Sequence, residues 1–227
     1  MLGYLIQGNS IQEYIVQLLL SLPVVLLALS VHETAHGYVA YKLGDPTAHS
    51  LGRLTLNPAK HFDFFGFLCM LLFGFGWAKP VPINTRYFKK PKRDMVLTGV
   101  AGPISNFLLA VIFAALLKGT LLVFSHVYFT NQTASLMAEY FASFLYYGIY
   151  LNVALAIFNL IPVPPFDGSR IVLAFLPTHL YFKIMRYERY IYIAVLVALL
   201  FGVLSPALNF LTRSVMDLLS LVFALPL

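Results

Sequence analysis

The sequence predicts an all-α protein that crosses a membrane several times. Of its 227 residues, 60% are hydrophobic and only 11% are charged, whereas soluble domains carry about 25% charged residues. The apolar residues form long runs, and most charged residues lie in the gaps between them. A soluble protein of this composition would expose large apolar patches, and a disordered chain is equally excluded. We therefore expect one domain over residues 1–227, embedded in the lipid bilayer of the cell membrane.

The apolar runs define the predicted elements in chain order. The first span covers residues 14–41, with a kink at Pro23. The next run, residues 62–77, is short for a span, because crossing the hydrocarbon core takes about 20 residues. Further spans are predicted at residues 95–118, 141–161 and 190–204. The tail, residues 207–227, is predicted to be either a fifth span or a helix at the membrane interface.

The basic residues predict the orientation of the chain. All but two of the 15 Lys and Arg residues lie in three loops, at residues 42–60, 79–94 and 161–190. Because basic loops stay on the cytoplasmic side, we expect the N-terminus and the loop 119–139 to lie outside. The N-terminus also lacks the features of a removable signal peptide. The basic residues do not form one face of a soluble domain, so no nucleic-acid partner is expected.

This orientation requires the run 62–77 to enter and leave the membrane on the cytoplasmic side. Its length and its glycines are typical of a re-entrant segment, which is tolerated where protein or water covers the backbone. Residues 77–84 alternate prolines with apolar residues, a pattern that favours an irregular edge strand. We therefore predict a re-entrant and edge-strand segment around residues 62–84, suited to pairing with an unwound peptide. An interfacial loop is the alternative.

The first span carries the motif His32-Glu33-Thr34-Ala35-His36 near its cytoplasmic end. Imidazoles four residues apart share one helix face and can hold one metal ion. Glu33 would lie beside the open coordination site, where it can take a proton from a bound water. In a random chain of this length and composition, the expected number of such motifs is roughly 0.003. The alternative is a set of polar residues at a helix end that meets the lipid headgroups.

A catalytic zinc site needs a third protein ligand, and the few acidic residues allow a choice by elimination. Asp167 follows the 141–161 span on the predicted cytoplasmic side, after three prolines that open the helix. A surface turn is the alternative reading of this residue, and Asp63 is a weaker rival ligand. The other acids are predicted to lie outside, in turns or loops, or in an ion pair: Glu13, Glu139, Asp45, Asp94, Glu188, and Asp217 with Arg213.

At several separate places the chain resembles the site-2 protease family of intramembrane zinc metalloproteases. The resemblance covers roughly residues 25–175, and its motifs are His32–His36, Gly52–Pro58 with His61, Gly76–Pro82, Gly102–Asn106 and Asn159–Gly168. It implies one zinc ion per chain, held by His32, His36 and Asp167. It also implies that Glu33 activates a zinc-bound water, and that a transmembrane protein or peptide is cleaved in or near its membrane span.

The resemblance further implies a three-helix catalytic core built from the first, 95–118 and 141–161 spans. We place this core within residues 11–175 and the C-terminal membrane helices within residues 188–227. No stretch is long enough for the PDZ or CBS modules of some relatives. The sequence does not indicate the natural substrate or the oligomeric state.

Two asparagines in these motifs have open roles. Asn159 could donate a hydrogen bond to the oxyanion of the reaction intermediate, or it could cap the broken helix. Asn106 is predicted to tie the core helices together, as amides do in lipid. Two other functions stay open: a metal transporter that uses the same ligands as a relay, and a catalytically silent membrane scaffold. The transporter would need no general base, and the scaffold would tolerate loss of both Glu33 and zinc.

Overall fold

The computed structural model describes residues 11–73, 76–127, 131–177, 180, 183–184 and 186–225. Within these ranges the regular structure is entirely helical and contains no β-strand, which confirms the all-α prediction. The predicted outer N-terminus lies largely outside the described residues. The α-helices are α1 (Ile11–Lys42), α2 (Thr47–Ser50), α3 (Phe64–Phe73), α4 (Pro91–Phe124), α5 (Gln132–Asn159), α6 (Asp167–Phe175), α7 (Glu188–Leu200) and α8 (Ser205–Phe223). Two 3-10 turns cover Pro58–Lys60 and Thr85–Tyr87.

In the part of the chain that the structure describes, three helices are long and apolar enough to cross a membrane. They are α1 with 32 residues, α4 with 34 and α5 with 28. At 1.5 Å per residue the shortest is about 42 Å long, which exceeds the roughly 30 Å of a hydrocarbon core. The helices α1 and α4 contain the predicted spans 14–41 and 95–118, and α5 covers the predicted span 141–161 up to Asn159. The prediction of three long membrane-spanning helices is therefore confirmed.

The helix α4 lies at the centre of the bundle and packs against α1, α5 and α6. Its exposed apolar side chains recur every four residues, at Ile104, Leu108, Ile112 and Leu116. That stripe faces outward, where lipid would be the solvent. In the first half of the same helix the buried side is mostly small or polar, with Thr98, Gly99, Gly102, Asn106 and Ala110. Small residues allow close helix contact in membranes, and buried amides add hydrogen bonds between helices.

The apolar core lies toward the other end of α4, away from these polar residues. Phe113 of α4 and Ile149 of α5 form its centre, and Met216 of α8 completes it. Gly148 makes the contact possible, since a Cβ at that position would lie 2.3 Å from the Phe113 ring. The two ends of the bundle therefore have different chemistry: one is apolar and the other carries the buried polar groups.

The apolar run 62–77, which is predicted to be too short to span, forms only a short helix. The helix α3 has 10 residues, so it is about 15 Å long and cannot cross a membrane. The chain then returns to its starting point, because the Lys79 amide donates to the His61 carbonyl at 2.8 Å. Residues 76–84 continue as an irregular segment with no regular secondary structure. It pairs with no strand among the described residues, and the predicted edge strand is not observed there.

The prediction of a span at residues 190–204 is wrong in its extent. The helix α7 has 13 residues and ends at Leu200, which gives about 20 Å of length. Gly202 ends it by adopting a φ of +70°, a conformation that favours glycine. The tail forms α8, which is not among the helices long and apolar enough to span. The predicted ion pair between Arg213 and Asp217 is not formed among the described residues.

Candidate metal centre

His32 and His36 lie near the end of α1, on the face that packs against α4. Residues four positions apart are stacked on one side of a helix, and the two ring centroids are 4.6 Å apart. The two residues are 4% and 5% exposed. Imidazoles are rarely buried this deeply without partners, because each ring nitrogen must be satisfied.

Asp167 reaches the imidazoles because the chain turns sharply after α5 ends at Asn159. Prolines at positions 162, 164 and 165 cannot continue the helix. The turn closes tightly at Gly168, where a Cβ would lie 2.2 Å from the Leu160 carbonyl oxygen. Asp167 then begins α6 with its side chain directed back into the bundle.

Three potential ligand atoms meet at this point. Asp167 Oδ2 lies 3.1 Å from His32 Nε2 and 3.0 Å from His36 Nε2, and the two nitrogens are 3.0 Å apart. Arg170 Nε lies 3.9 Å from the other carboxylate oxygen. Among the described residues this is the one group of three His, Cys, Asp or Glu side chains that could hold a metal ion.

The outer hydrogen bonds fix the tautomer of each imidazole. His36 Nδ1 lies 2.7 Å from the Thr98 carbonyl oxygen, which can only accept, so Nδ1 carries the hydrogen. His32 Nδ1 lies 2.6 Å from Asn106 Oδ1, while the Asn106 amide nitrogen donates to Asn152 Oδ1 at 2.9 Å. When both rings are neutral, their Nε2 atoms are therefore unprotonated, and both face the Asp167 carboxylate.

This donor set fits zinc. Two bare imidazole nitrogens and one carboxylate oxygen would repel one another at this distance unless a metal ion or a shared proton lay among them. Zinc bonds of about 2.0–2.2 Å place tetrahedral ligand atoms roughly 3.3 Å apart, close to the observed spacing. The Nδ1–H groups bound to an amide and a carbonyl are the outer-shell partners that metal-binding histidines use.

The charge state of Asp167 suits a ligand. Burial raises the pKa of its carboxyl group, but hydrogen bonds and positive charge from the His32 and His36 rings, when these are protonated in the metal-free site, outweigh that effect. The net result is a pKa below the usual range, so the group is ionised at neutral pH. An ionised carboxylate is the form that coordinates a metal ion.

Glycine in α4 makes room for the site. A Cβ on Gly102 would lie 2.4 Å from His36 Nε2 and 2.6 Å from His32 Nε2. One turn earlier, a Cβ on Gly99 would lie 3.1 Å from Arg170 and 3.3 Å from the Asp167 carbonyl oxygen. These two positions let α4 approach both α1 and α6 at the level of the ligands.

Glu33 lies next to His32 but is not part of the ligand cluster. Its Oε2 accepts a hydrogen bond of 2.7 Å from the Val81 amide, and the residue is partly exposed. The irregular segment 76–84 therefore contacts Glu33 and holds its carboxylate in place. No local sequence pattern indicates this contact, because it joins residues 48 positions apart.

Asn159 stands at the end of α5, where its side-chain amide donates to the Leu155 carbonyl at 2.9 Å. That bond matches the capping alternative. A carboxamide has two N–H donors, so one remains for another partner. The oxyanion role stays a prediction.

Two acids expected in turns or loops are buried. Asp45 lies in the turn between α1 and α2, as predicted, whereas Asp94 lies in the first turn of α4 and not in a loop. Asp45 is 0% exposed: its Oδ1 accepts the Thr47 amide at 3.0 Å, and its Oδ2 accepts the Asn84 amide at 2.6 Å. Asp94 is 1% exposed and accepts the Lys90 amide at the start of α4. The hydrogen bond between Asp45 and the Thr47 amide is an Asx turn, which the local sequence can predict. The hydrogen bond between Asp45 and the Asn84 amide depends on tertiary structure.

Asp63, the less favoured candidate for the third ligand, has a structural role. Its Oδ1 accepts the Gly66 amide at 2.8 Å, which caps the first turn of α3. It lies outside the ligand cluster formed with His32 and His36.

Comparison with known proteins shows the family of the chain. The sequence profile of peptidase family M50 matches residues 20–203, which is most of the chain. The chain belongs to peptidase family M50. This M50 protein is 43% identical over 202 residues to "Putative zinc metalloprotease YwhC" of Bacillus subtilis (strain 168), covering 87% of this chain and 90% of that protein.

More distant M50 relatives match a shorter region. "Putative zinc metalloprotease Rip2" of Mycolicibacterium smegmatis is 28% identical over 149 residues, or 63% of this chain and 52% of that protein. "Putative zinc metalloprotease MJ0611" of Methanocaldococcus jannaschii is 30% identical over 147 residues, covering 62% of each. No solved structure gives a significant match.

The contact at Gly102 predicts a specific loss of metal. In Gly102→Ala the added methyl group must displace the imidazoles, so zinc affinity should fall by about tenfold to a hundredfold. Zinc content after dialysis against graded chelator measures this. Gly119→Ala is the matched control, since the same helix has nothing within 4 Å of a Cβ there. Equal zinc retention by both variants would contradict the proposed site.

Proposed function

We propose that the protein is an intramembrane zinc metalloprotease that hydrolyses a peptide bond in or near the transmembrane segment of a membrane protein. The observation that carries this proposal is the convergence of His32 Nε2, His36 Nε2 and Asp167 Oδ2 beside Glu33, among helices long enough to span a bilayer. Zinc at this site would supply a Lewis acid that polarises the scissile carbonyl and makes water more acidic.

Glu33 acts as the general base and then as the general acid. Its position next to a ligand residue places a carboxylate where it can take a proton from the attacking water and later give it to the leaving amine. The Val81 amide binds one carboxylate oxygen, which fixes the rotamer and leaves the second oxygen free to accept a proton. Asn159 has a spare N–H that could stabilise the developing oxyanion.

The segment 76–84 provides a surface for the unwound substrate. In a helical substrate the backbone N–H and C=O groups are bound to one another. The region around the scissile bond must therefore unwind before it can react. An extended substrate could then pair with the exposed backbone of this segment, in the manner of strand addition. Asp45 holds the far end of the segment through the Asn84 amide, so the surface is fixed before substrate arrives.

Purified protein in detergent tests the catalytic proposal. Glu33→Gln should keep one zinc per chain and lose about 10²- to 10⁴-fold in cleavage of a membrane-spanning peptide, the usual contribution of a general base. Asp167→Ala should lose zinc as well as activity. Glu139→Gln and Asp217→Ala, on exposed helix positions, are the matched controls.

Each outcome addresses one part of the proposal. Cleavage by Glu33→Gln at the wild-type rate would exclude the mechanism. Full zinc occupancy in Asp167→Ala would exclude only the ligand assignment. Metal flux without peptide cleavage by wild type would favour the transporter alternative, and the absence of both zinc and cleavage would favour a scaffold.

We further propose that the metal centre lies near the cytoplasmic face of the cell membrane, with the N-terminus outside. The support is the concentration of basic residues in the loops on that side. Because Cys69 is the single cysteine, a Cys69→Ser background permits single-site labelling. In intact cells, Lys89→Cys should resist an impermeant maleimide, whereas Thr133→Cys should react. Both positions are exposed, and the reverse pattern would overturn the orientation.

A further inference from the structure

Arg170 lies one helical turn after Asp167 on α6, next to the carboxylate of the metal centre. Side chains three positions apart are neighbours on a helix surface. Arg170 Nε is 3.9 Å from Asp167 Oδ1, whereas Oδ2 of the same carboxylate faces His32 and His36 at 3.1 and 3.0 Å. The two carboxylate oxygens therefore have different neighbours, a cation at Oδ1 and the two imidazoles at Oδ2.

The arginine side chain packs against α4 and does not extend freely into solvent. A Cβ on Gly99 would lie 3.1 Å from both Cβ and Cδ of Arg170, so the aliphatic part of the side chain crosses α4 at that glycine. The Arg170 side chain is 31% exposed, and its Nη1 is buried with no hydrogen-bond partner among the described residues. A surface arginine usually keeps its charged end in water. A guanidinium that is partly removed from water requires a nearby anion.

Asp167 supplies that anion. Within the part of the chain that the structure describes, it is the one carboxylate within 4 Å of a nitrogen of Arg170. At 3.9 Å the contact between Nε and Oδ1 is too long for a hydrogen bond. Its basis is the attraction between opposite charges, which is stronger in a buried site than in water. The same attraction favours the carboxylate rotamer that turns Oδ1 toward the guanidinium.

The orientation of this carboxylate matters because a carboxylate can bind a metal ion through one oxygen or through both. A catalytic zinc site has three protein ligands and keeps a fourth position for water or substrate. If Oδ1 of Asp167 also bound the metal ion, it would take coordination space that the water needs. A cation beside Oδ1 opposes this second bond, because it attracts the oxygen that would form it.

We propose that Arg170 is a positioning residue that holds Asp167 Oδ1 away from the metal ion, so that Asp167 binds through Oδ2 alone. The inference rests on the proposed function and adds to it a residue outside the three-ligand set. Arg170 acts through Asp167 and is not itself a ligand. Its effect is to keep one coordination position open for the water that Glu33 deprotonates.

Cobalt(II) in place of zinc reports the coordination number in the full-length protein in detergent. Its visible absorption is strong in a four-coordinate site and weaker when a fifth ligand is added. We expect Arg170→Gln to bind one Co²⁺ per chain and to lose visible absorption relative to the parent. Arg170→Lys should keep the parent spectrum, since a contact of this length depends on charge and not on the planar arginine fork. Arg213→Gln, at an exposed position of α8, is the matched control.

Kinetics separate the positioning role from a structural one. With zinc bound, we expect Arg170→Gln to lower kcat for a membrane-spanning peptide by about tenfold to a hundredfold, the usual cost of losing an outer-shell partner. KM should stay unchanged, and Arg170→Lys should restore kcat. An arginine that only held α6 against α4 would lower the melting temperature of Arg170→Gln. It would leave the cobalt spectrum and the kcat per bound zinc ion as in the parent.

The three proteins together decide the inference. Equal cobalt spectra in the parent and Arg170→Gln would overturn it, and so would an equal loss in Arg170→Gln and Arg170→Lys. If Arg170→Gln holds no metal, Arg170→Lys decides: a parent-like spectrum there supports the role of charge, and loss of metal there contradicts it.

Failure of the proposed function gives a different result. A parent that cleaves the peptide, with no spectral change in Arg170→Gln, would disprove the positioning role alone. A spectral change in Arg170→Gln without any cleavage by the parent would disprove the protease proposal and leave the positioning role in place. A parent that binds neither Co²⁺ nor Zn²⁺ would disprove the metal centre and the positioning role together.

Discussion

The hydrogen bond between His32 Nδ1 and Asn106 Oδ1 is the interaction on which the polar half of the structure depends. Asn106 uses its amide nitrogen for the Ala28 carbonyl and for Asn152 Oδ1, and it uses its oxygen for the imidazole. One residue of α4 therefore joins α1 to α5 and sets the tautomer of a ligand at the same time. Water cannot replace such partners inside a bilayer, so helix packing and ligand orientation are coupled.

The same constraint explains why small residues surround the site. The imidazoles occupy space that any side chain at Gly102 would need, and the tight turn after α5 needs Gly168. In lipid there is no hydrophobic force between helices, so contact depends on close packing and on hydrogen bonds. A cluster of polar side chains and glycines at one end, with the aromatic and aliphatic core at the other, satisfies both requirements.

The sequence predicted the features that local patterns control. The lengths of the apolar runs predicted the three long helices. The short length of the run 62–77, together with the basic loops on both sides of it, predicted that this run does not cross the membrane. Asp167 could be singled out because acids are scarce. The bonds from Val81 to Glu33 and from Asn84 to Asp45 could not be predicted, since they join segments distant in sequence. The predicted span at 190–204 was wrong because hydropathy alone does not show that Gly202 adopts a positive φ and ends the helix.

X-ray absorption spectroscopy of zinc in the purified protein reports on the metal ligands themselves. We expect scattering from two imidazoles and from oxygen at about 2.0–2.2 Å, with no sulfur at the roughly 2.3 Å of a zinc–thiolate bond. The imidazole contribution should fall by half in His36→Ala. A sulfur shell from Cys69, or an unchanged imidazole signal in that variant, would contradict the metal centre described above.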